Sequence, residues 1–198
     1  TDFPISDYQP KLTLDYVSPP QLAFGVDRYG TYSGGGVTLF WSDMLGYHTV
    51  ATMVQSTSRI QDAAALVGYQ NTRKRLNWGV VGYRIPYVTG YYSSNLGYFL
   101  GQPAYIEQDE LYWQINYDLA GYITYPFNQM RRVEFSAGVR YIDFYHEIVT
   151  NAYDYFSGNL FYHDSYELPS PDSLAMGYVS AAMVYERAIF GATAPVIG

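Results

Sequence analysis

The chain has 198 residues, a formal net charge of -7, no cysteine and only 15% charged residues, against 24 Tyr and 18 Gly. Zero cysteine excludes a disulfide scaffold and thiolate metal sites. The acidic total speaks against nucleic acid, which selects a basic stripe. No run of ~18 apolar residues offers a membrane-spanning helix, although aromatic residues make up 19% of the chain.

That combination fits an all-β transmembrane barrel, in which alternate residues meet lipid, aromatic girdles sit at both interfaces and mean hydropathy stays unremarkable. The first predicted strand covers about 11–27, "KLTLDYVSPPQLAFGVD", with Leu12, Leu14 and Tyr16 on one face. Pro19 and Pro20 interrupt its ladder and mark an edge, bend or bulge. The second strand, about 33–43, follows "RYGTYSGGG"; the third and fourth, about 48–57 and 61–71, flank the polar turn "STSRIQ". "GGGV" at 34–37 lacks the Lys-Ser/Thr of a phosphate loop, and its glycines point to curvature or close packing. The fifth, about 76–89, sets Val81, Tyr83, Ile85 and Tyr87 on one face.

The sixth strand carries the clearest signal. From Leu111 to Tyr125 the odd positions read Leu, Trp, Ile, Tyr, Leu, Gly, Ile, Tyr, and the even ones between them Tyr, Gln, Asn, Asp, Ala, Tyr, Thr. Period-two alternation places the two sets on opposite faces of a sheet. Strands of soluble sheets run about 5–6 residues, whereas a tilted strand crossing a bilayer needs about 9–11. The apolar face therefore predicts lipid contact and the polar face a barrel interior. The seventh strand, about 131–147, turns Glu134, Ser136 and Arg140 inward and Val133, Phe135, Ala137 and Val139 outward. Pairing the two around Asn128–Gln129 sets Tyr125 opposite Val133 and Asp118 opposite Arg140, an interior ion pair, with a two-residue slip as the alternative. Trp113, Tyr125 and Phe127 are placed as interfacial aromatics. The eighth strand covers about 173–190.

The connections alternate in length. "DMLGYH", "NTRKRL" and "FNQMRR" are short, whereas about 90–109 and about 147–172 read as long loops on the other side. Short periplasmic turns and longer extracellular loops are the expected asymmetry of outer-membrane barrels. The short turns hold Arg73, Lys74, Arg75, Arg131 and Arg132, which suit lipid phosphates, an acidic periplasmic partner or plain solubility. No secretory signal is visible at Thr1, so the expected chain is mature, trimmed or part of something longer.

The phrases "KLTLDYVSPP", "GGGVTLFWSDMLGYH", "GYQNTRKRLNWGV" and "ERAIFGATAPVIG" resemble the barrel region of BamA-like bacterial surface-antigen outer-membrane proteins. The nearer likeness is to the branch in which a TolB-like propeller precedes the barrel. The resemblance implies the N-terminal half of a sixteen-stranded cylinder that assembles or translocates other proteins, with "GATAPVIG" leading towards a ninth strand. Outer-membrane lipid, other envelope proteins or the rest of a larger barrel are the partners it implies. The superfamily's Arg-Gly-Phe or Arg-Gly-Tyr tip motif is absent from the sequence.

Chemical candidates are sparse, and neither a cofactor, a metal nor an enzyme is expected. His48 follows a short turn, whereas His146 and His163 lie towards the opposite rim, which separates the three. Asp143, Glu147, Asp154, Asp164 and Glu167 are oxygen donors that could take a divalent ion or form a solvated acidic surface. Tyr91, Tyr92, Tyr153, Tyr155 and Tyr162 offer a binding surface or pack over the barrel mouth. Two alternatives remain beside the assembly or translocation scaffold. One is a self-contained eight-stranded barrel for structure or adhesion, whose interior side chains would fill. The other is an outer-membrane lipid hydrolase, which would need a Ser and a His converging at one rim.

Overall fold

The computed structural model describes residues 8–27, 30–57, 60–186, 189–190 and 195–197. Apart from a 3-10 turn at Ile60–Asp62, every regular element among them is a β-strand. Ten antiparallel strands form one sheet with eight positions across it. β1 (Thr13–Val17) and β2 (Gln21–Asp27) share the first position, pairing with different parts of β3 (Gly30–Ser42). Pro19 and Pro20 supply no N–H between them, so the ladder breaks there. Ser18 bridges the gap, its N–H donating to Thr38 O at 2.8 Å and its Oγ accepting from Thr38 N at 2.9 Å.

β4 (His48–Thr57), β5 (Ala64–Asn71), β6 (Asn77–Phe99), β7 (Gln102–Pro126) and β8 (Arg131–Asp154) then follow as a meander. β9 (Leu160–Leu168) pairs with the far end of β8 and β10 (Leu174–Tyr185) with its near end, so they make one interrupted column. β11 (Ile189–Phe190) and β12 (Pro195–Ile197) form a separate two-stranded ladder. Residues 187–188 of the eighth predicted strand, and much of "ERAIFGATAPVIG", lie outside the described residues.

The two segments expected as long loops are mostly strand. β6 and β7 stay paired without a register shift from Asn77↔Thr124 to Phe99↔Gln102. They close through Leu100 and Gly101, both at positive φ (50° and 82°), the backbone of a two-residue hairpin turn whose twist matches its strands. β8 runs on to Asp154 beside β7, and β9 returns along it. These extensions are held as strands by backbone pairing with their neighbours, which does not require their side chains to alternate.

The short turns fix the register. In the β7–β8 turn the Asn128 carboxamide oxygen accepts from Met130 N (2.9 Å) and Arg131 N (2.8 Å), and Phe127 N donates to Arg131 O at 2.9 Å. At β3–β4, buried Asp43 accepts from His48 N at 2.8 Å through Oδ1 and from the Tyr8 hydroxyl through Oδ2 at 2.5 Å. Burial opposes its charge, yet the His48 N–H and Tyr8 hydroxyl outweigh that and hold its carboxyl below the usual range. The protein is thus an all-β antiparallel sheet, and among the described residues it is not closed: β1–β2 and β9–β10 do not pair with each other.

Candidate functional site

Register and alternation give the lower sheet two chemically distinct faces. Tyr117, Leu119, Gly121, Ile123 and Tyr125 of β7 stand opposite Tyr141, Val139, Ala137, Phe135 and Val133 of β8. Trp78 and Val80 of β6 and Val179, Ala181 and Met183 of β10 extend the same face. It is apolar and exposed: Leu119 is 60%, Val139 61% and Val179 85% accessible. The band is nine residues deep on each central strand, Tyr117 to Tyr125 and Val133 to Tyr141.

Aromatic and guanidinium groups border it at both ends. At the far end the Tyr117 and Tyr141 rings lie 6.2 Å apart, and Arg84 Nε donates to the Tyr117 hydroxyl at 3.3 Å. Arg84 also holds the Ala63 and Gln61 carbonyls of the 3-10 turn. At the short-turn end Tyr125 meets Phe127 edge-on at 5.4 Å, Arg75 lies over the Tyr125 ring at 5.1 Å and Arg131 over Tyr185 at 5.3 Å. Arg73 and Lys74 sit exposed in the β5–β6 turn.

The opposite face is polar and centred on Asp118, whose side chain is 1% exposed. Arg140 Nε donates to its Oδ2 at 2.8 Å, and the Tyr178 hydroxyl donates to its Oδ1 at 2.8 Å. Arg140 Nη2 reaches the Tyr83 hydroxyl at 3.0 Å, and its guanidinium lies 5.6 Å from the Tyr178 ring centre. Four strands, β6, β7, β8 and β10, therefore meet at one carboxylate. Asp118 stands opposite Arg140 and Tyr125 opposite Val133 in the ladder, without the two-residue slip. The sequence pattern places Tyr83 on one face of its strand but assigns neither it nor Tyr178 to the Asp118–Arg140 pair, because their positions opposite Asp118 and Gly138 depend on the registers of β6 and β10. On the same face Arg132 bonds Glu134 at 2.5 Å and Glu186 at 3.3 Å.

Trp113 is a correction. It was expected at an interface, but only 2% of it is exposed, and its indole N–H donates to Asp62 Oδ1 at 2.7 Å. Asp62 is held in turn by the Thr57 hydroxyl at 2.9 Å. The Trp113–Asp62 bond ties the 3-10 turn to the extension of the apolar face, where Leu111, Trp113 and Ile115 are buried and Tyr145 packs against them. The border residues at this end are Tyr117, four residues from Trp113 along β7, and its ladder partner Tyr141, both partly exposed.

Above the band, residues of the paired extensions make a second polar group. His146 Nε2 lies 2.9 Å from Glu110 Oε1, the Tyr112 hydroxyl donates to the same oxygen at 2.6 Å, and the Tyr112 and His146 rings stack at 4.1 Å. The Tyr112 hydroxyl first, then His146, hold the Glu110 carboxyl below its usual range. Towards the tip Tyr92 donates to Glu107 at 3.0 Å; its hydrogen bond to Tyr105, burial and the Glu107 carboxylate push its hydroxyl up to about 12. The Ser157 N–H holds the Asp154 carboxyl low in the β8–β9 turn. Tyr91 and Tyr155 are exposed, and Tyr162 donates to Asp164 at 3.1 Å.

The histidines do not converge. His48 Nδ1 lies 2.7 Å from the Tyr69 hydroxyl and His163 Nδ1 2.6 Å from Asn151 Oδ1. Among the described residues no three His, Asp or Glu side chains are placed to hold a metal ion. Asp143 accepts from Ser173 and from Phe144 N, and Glu147 and Glu167 are paired across β8 and β9. "GGGV" lies within β3, where a Cβ at Gly35 would come within 3.0 Å of Gln21 O, so the glycine admits close approach of β2.

The fold and these faces define an all-β sheet protein with one lipophilic and one polar surface. Comparison of the chain with protein-family models, curated proteins and solved structures finds no match. Among the described residues no helix is long and apolar enough to cross a membrane, which says nothing of strands.

Proposed function

We propose that the sheet is part of the wall of a bacterial outer-membrane β-barrel, acting as a scaffold or an assembly- or translocation-type component of the cell envelope. The observation that carries this reading is the exposed apolar band with tyrosines at both borders. Its depth of nine residues matches the about 9–11 residues that a tilted strand needs to cross a bilayer. A soluble sheet would have to cover so large an apolar patch, whereas lipid covers it without further protein. The polar face, with Asp118 and Arg140, then lines the interior, and the basic short turns lie on the periplasmic side.

The resemblance to BamA-like surface antigens supplies the assembly or translocation class. Two sheet edges without backbone partners among the described residues favour a wider barrel, since an open edge in hydrocarbon leaves N–H and C=O groups unsatisfied. The eight positions favour the second reading, a self-contained barrel for structure or adhesion. Native mass spectrometry of the membrane-extracted protein separates them: a species near 22.5 kDa supports self-closure, and a longer polypeptide supports the wider barrel.

The chain lacks cysteine, so single cysteines test the central reading cleanly. Cysteines at Val67, Leu119 and Val139 should react in isolated outer membranes with a lipid-soluble maleimide and resist a charged one. Cysteines at Ser136 and Thr38, on the polar face, should show the reverse. Equal labelling of both sets by the charged reagent would sink the proposal.

A further inference from the structure

A groove of about 720 Å³ interrupts the apolar face. Its floor is Gly121 and Ala137, neighbours across β7 and β8, and its walls are Trp78, Ile123, Phe135 and Val179. The groove exists because two adjacent strands both carry a minimal side chain at the same height. A Cβ at Gly121 would meet nothing closer than Gly79 O at 3.8 Å. Backbone packing therefore does not demand a glycine there, and the space above it is left open.

Charge is sorted at the end of the groove nearest the short turns. Tyr125 and Val133 stand four residues from Gly121 and Ala137, ~13 Å along a strand at ~3.3 Å per residue. At that border Arg75 and Arg131 lie over Tyr125 and Tyr185. Arg75 donates from Nε to Pro126 O and from Nη2 to Phe127 O, which fixes its guanidinium on this side with Nη1 remaining. The neighbouring carboxylates Glu134 and Glu186 are taken by Arg132, whose register position is on the polar face. Among the described residues no carboxylate pairs with Arg75 or Arg131. Cations thus border the apolar groove while the anions of the same turns face away from it.

We infer that this groove seats one acyl chain of an anionic phospholipid from the leaflet on the short-turn side, with its phosphate held by Arg75 and Arg131. The inference rests on the apolar face being lipid-facing and goes further, assigning a retained lipid, its headgroup charge and its leaflet. The distance from border to groove floor is about that of the upper part of an acyl chain. A zwitterionic lipid would fill the groove equally well but would gain less from the two guanidiniums.

Trp78, in the wall of the groove, reports on its occupant. The Trp41→Phe protein is reconstituted in phosphatidylcholine vesicles containing either brominated phosphatidylglycerol or brominated phosphatidylcholine, with buried Trp113 as the unquenched background. Phosphatidylglycerol should quench at a lower mole fraction, by roughly fivefold for each arginine that contacts the headgroup. Gly121→Leu, which fills the groove, should abolish quenching that is specific to either lipid while the thermal transition is retained. Arg131→Gln, whose side chain makes no hydrogen bond to the turns, should lower the headgroup preference by about fivefold, leaving the share due to Arg75, and keep the chain in place. Equal quenching by both lipids, unchanged in the two variants, would overturn the groove and leave the lipid-facing reading standing. Absence of quenching by either lipid would defeat that reading itself.

Discussion

Tyr178 lies across Gly138, its partner in the β8–β10 ladder, so closely that a Cβ at position 138 would sit 2.6 Å from the phenol ring and 2.9 Å from Leu119 O. This approach carries the Tyr178 hydroxyl across β8 to Asp118. Gly138→Ala should therefore overpack the site and lose the hydrogen bond together, destabilising the sheet by about 1–3 kcal/mol. Thermal unfolding in detergent checks this. Tyr178→Phe should account for about 1.5 kcal/mol of it through the hydrogen bond to the carboxylate.

The Asp118–Arg140 pair gives a sharper outcome. Removing Arg140 alone leaves a carboxylate that is 1% exposed without its cation. Removing one partner of a charge pair is destabilising when the group left behind is buried, because that charge keeps no counter-ion. Arg140→Met should lower the thermal transition measured in detergent, whereas Asp118→Leu with Arg140→Met should recover most of that loss. A double variant no more stable than the single one would mean that the carboxylate is hydrated in the native protein.

Trp113→Phe removes the indole N–H from Asp62 but keeps most of the ring. A hydrogen bond to a charged acceptor contributes about 1.5–3 kcal/mol, so the 3-10 turn should loosen by that order. Faster hydrogen exchange at 61–63, with the β7–β8 ladder unaffected, is the expected pattern. Exchange spreading through β7 would show instead that Trp113 holds the strand rather than the turn.

Glu110 confers a pH dependence on the paired extensions. Its carboxyl ordinarily titrates near 4.5, and the Tyr112 hydroxyl and His146 depress it in the folded protein. Stabilisation is therefore present above the unfolded value and is lost as pH falls through the folded one. Amide exchange in the β7–β8 ladder around Glu110, Tyr112 and His146 should quicken as pH falls below the ordinary carboxyl value of 4.5, after correction for the intrinsic rate. Glu110→Gln should flatten this response.

Leu100 occupies a left-handed position, φ 50°, in the turn between β6 and β7, and it is 77% exposed. Its side chain gains little from burial there, while left-handed backbone costs a residue with a Cβ about 1–2 kcal/mol. Leu100→Asn, keeping Gly101, should stabilise the hairpin by about 0.5–1 kcal/mol. A fall in stability would mean that Leu100 packs against something outside the described residues.

The sequence by itself determined the sheet, its two faces and the pairing of β7 with β8. Alternation from Leu111 to Tyr125 is a local property of the chain that restricts the pairing with β8 to shifts of two residues, and the four-residue turn anchored by Asn128 selects the one observed. Asp118 and Arg140 are for that reason opposite each other both in the sequence pattern and in the ladder. Tertiary structure alone decided that 90–109 and 147–172 are mostly strand, because backbone pairing there is satisfied by a neighbour and leaves no periodic mark on the side chains. It also decided the fate of Trp113, since burial depends on the turn at 60–62 folding over from another hairpin. The assembly of Tyr83 and Tyr178 around Asp118, and the shared height of Gly121 and Ala137, follow from registers between strands up to 60 residues apart, which no local pattern encodes.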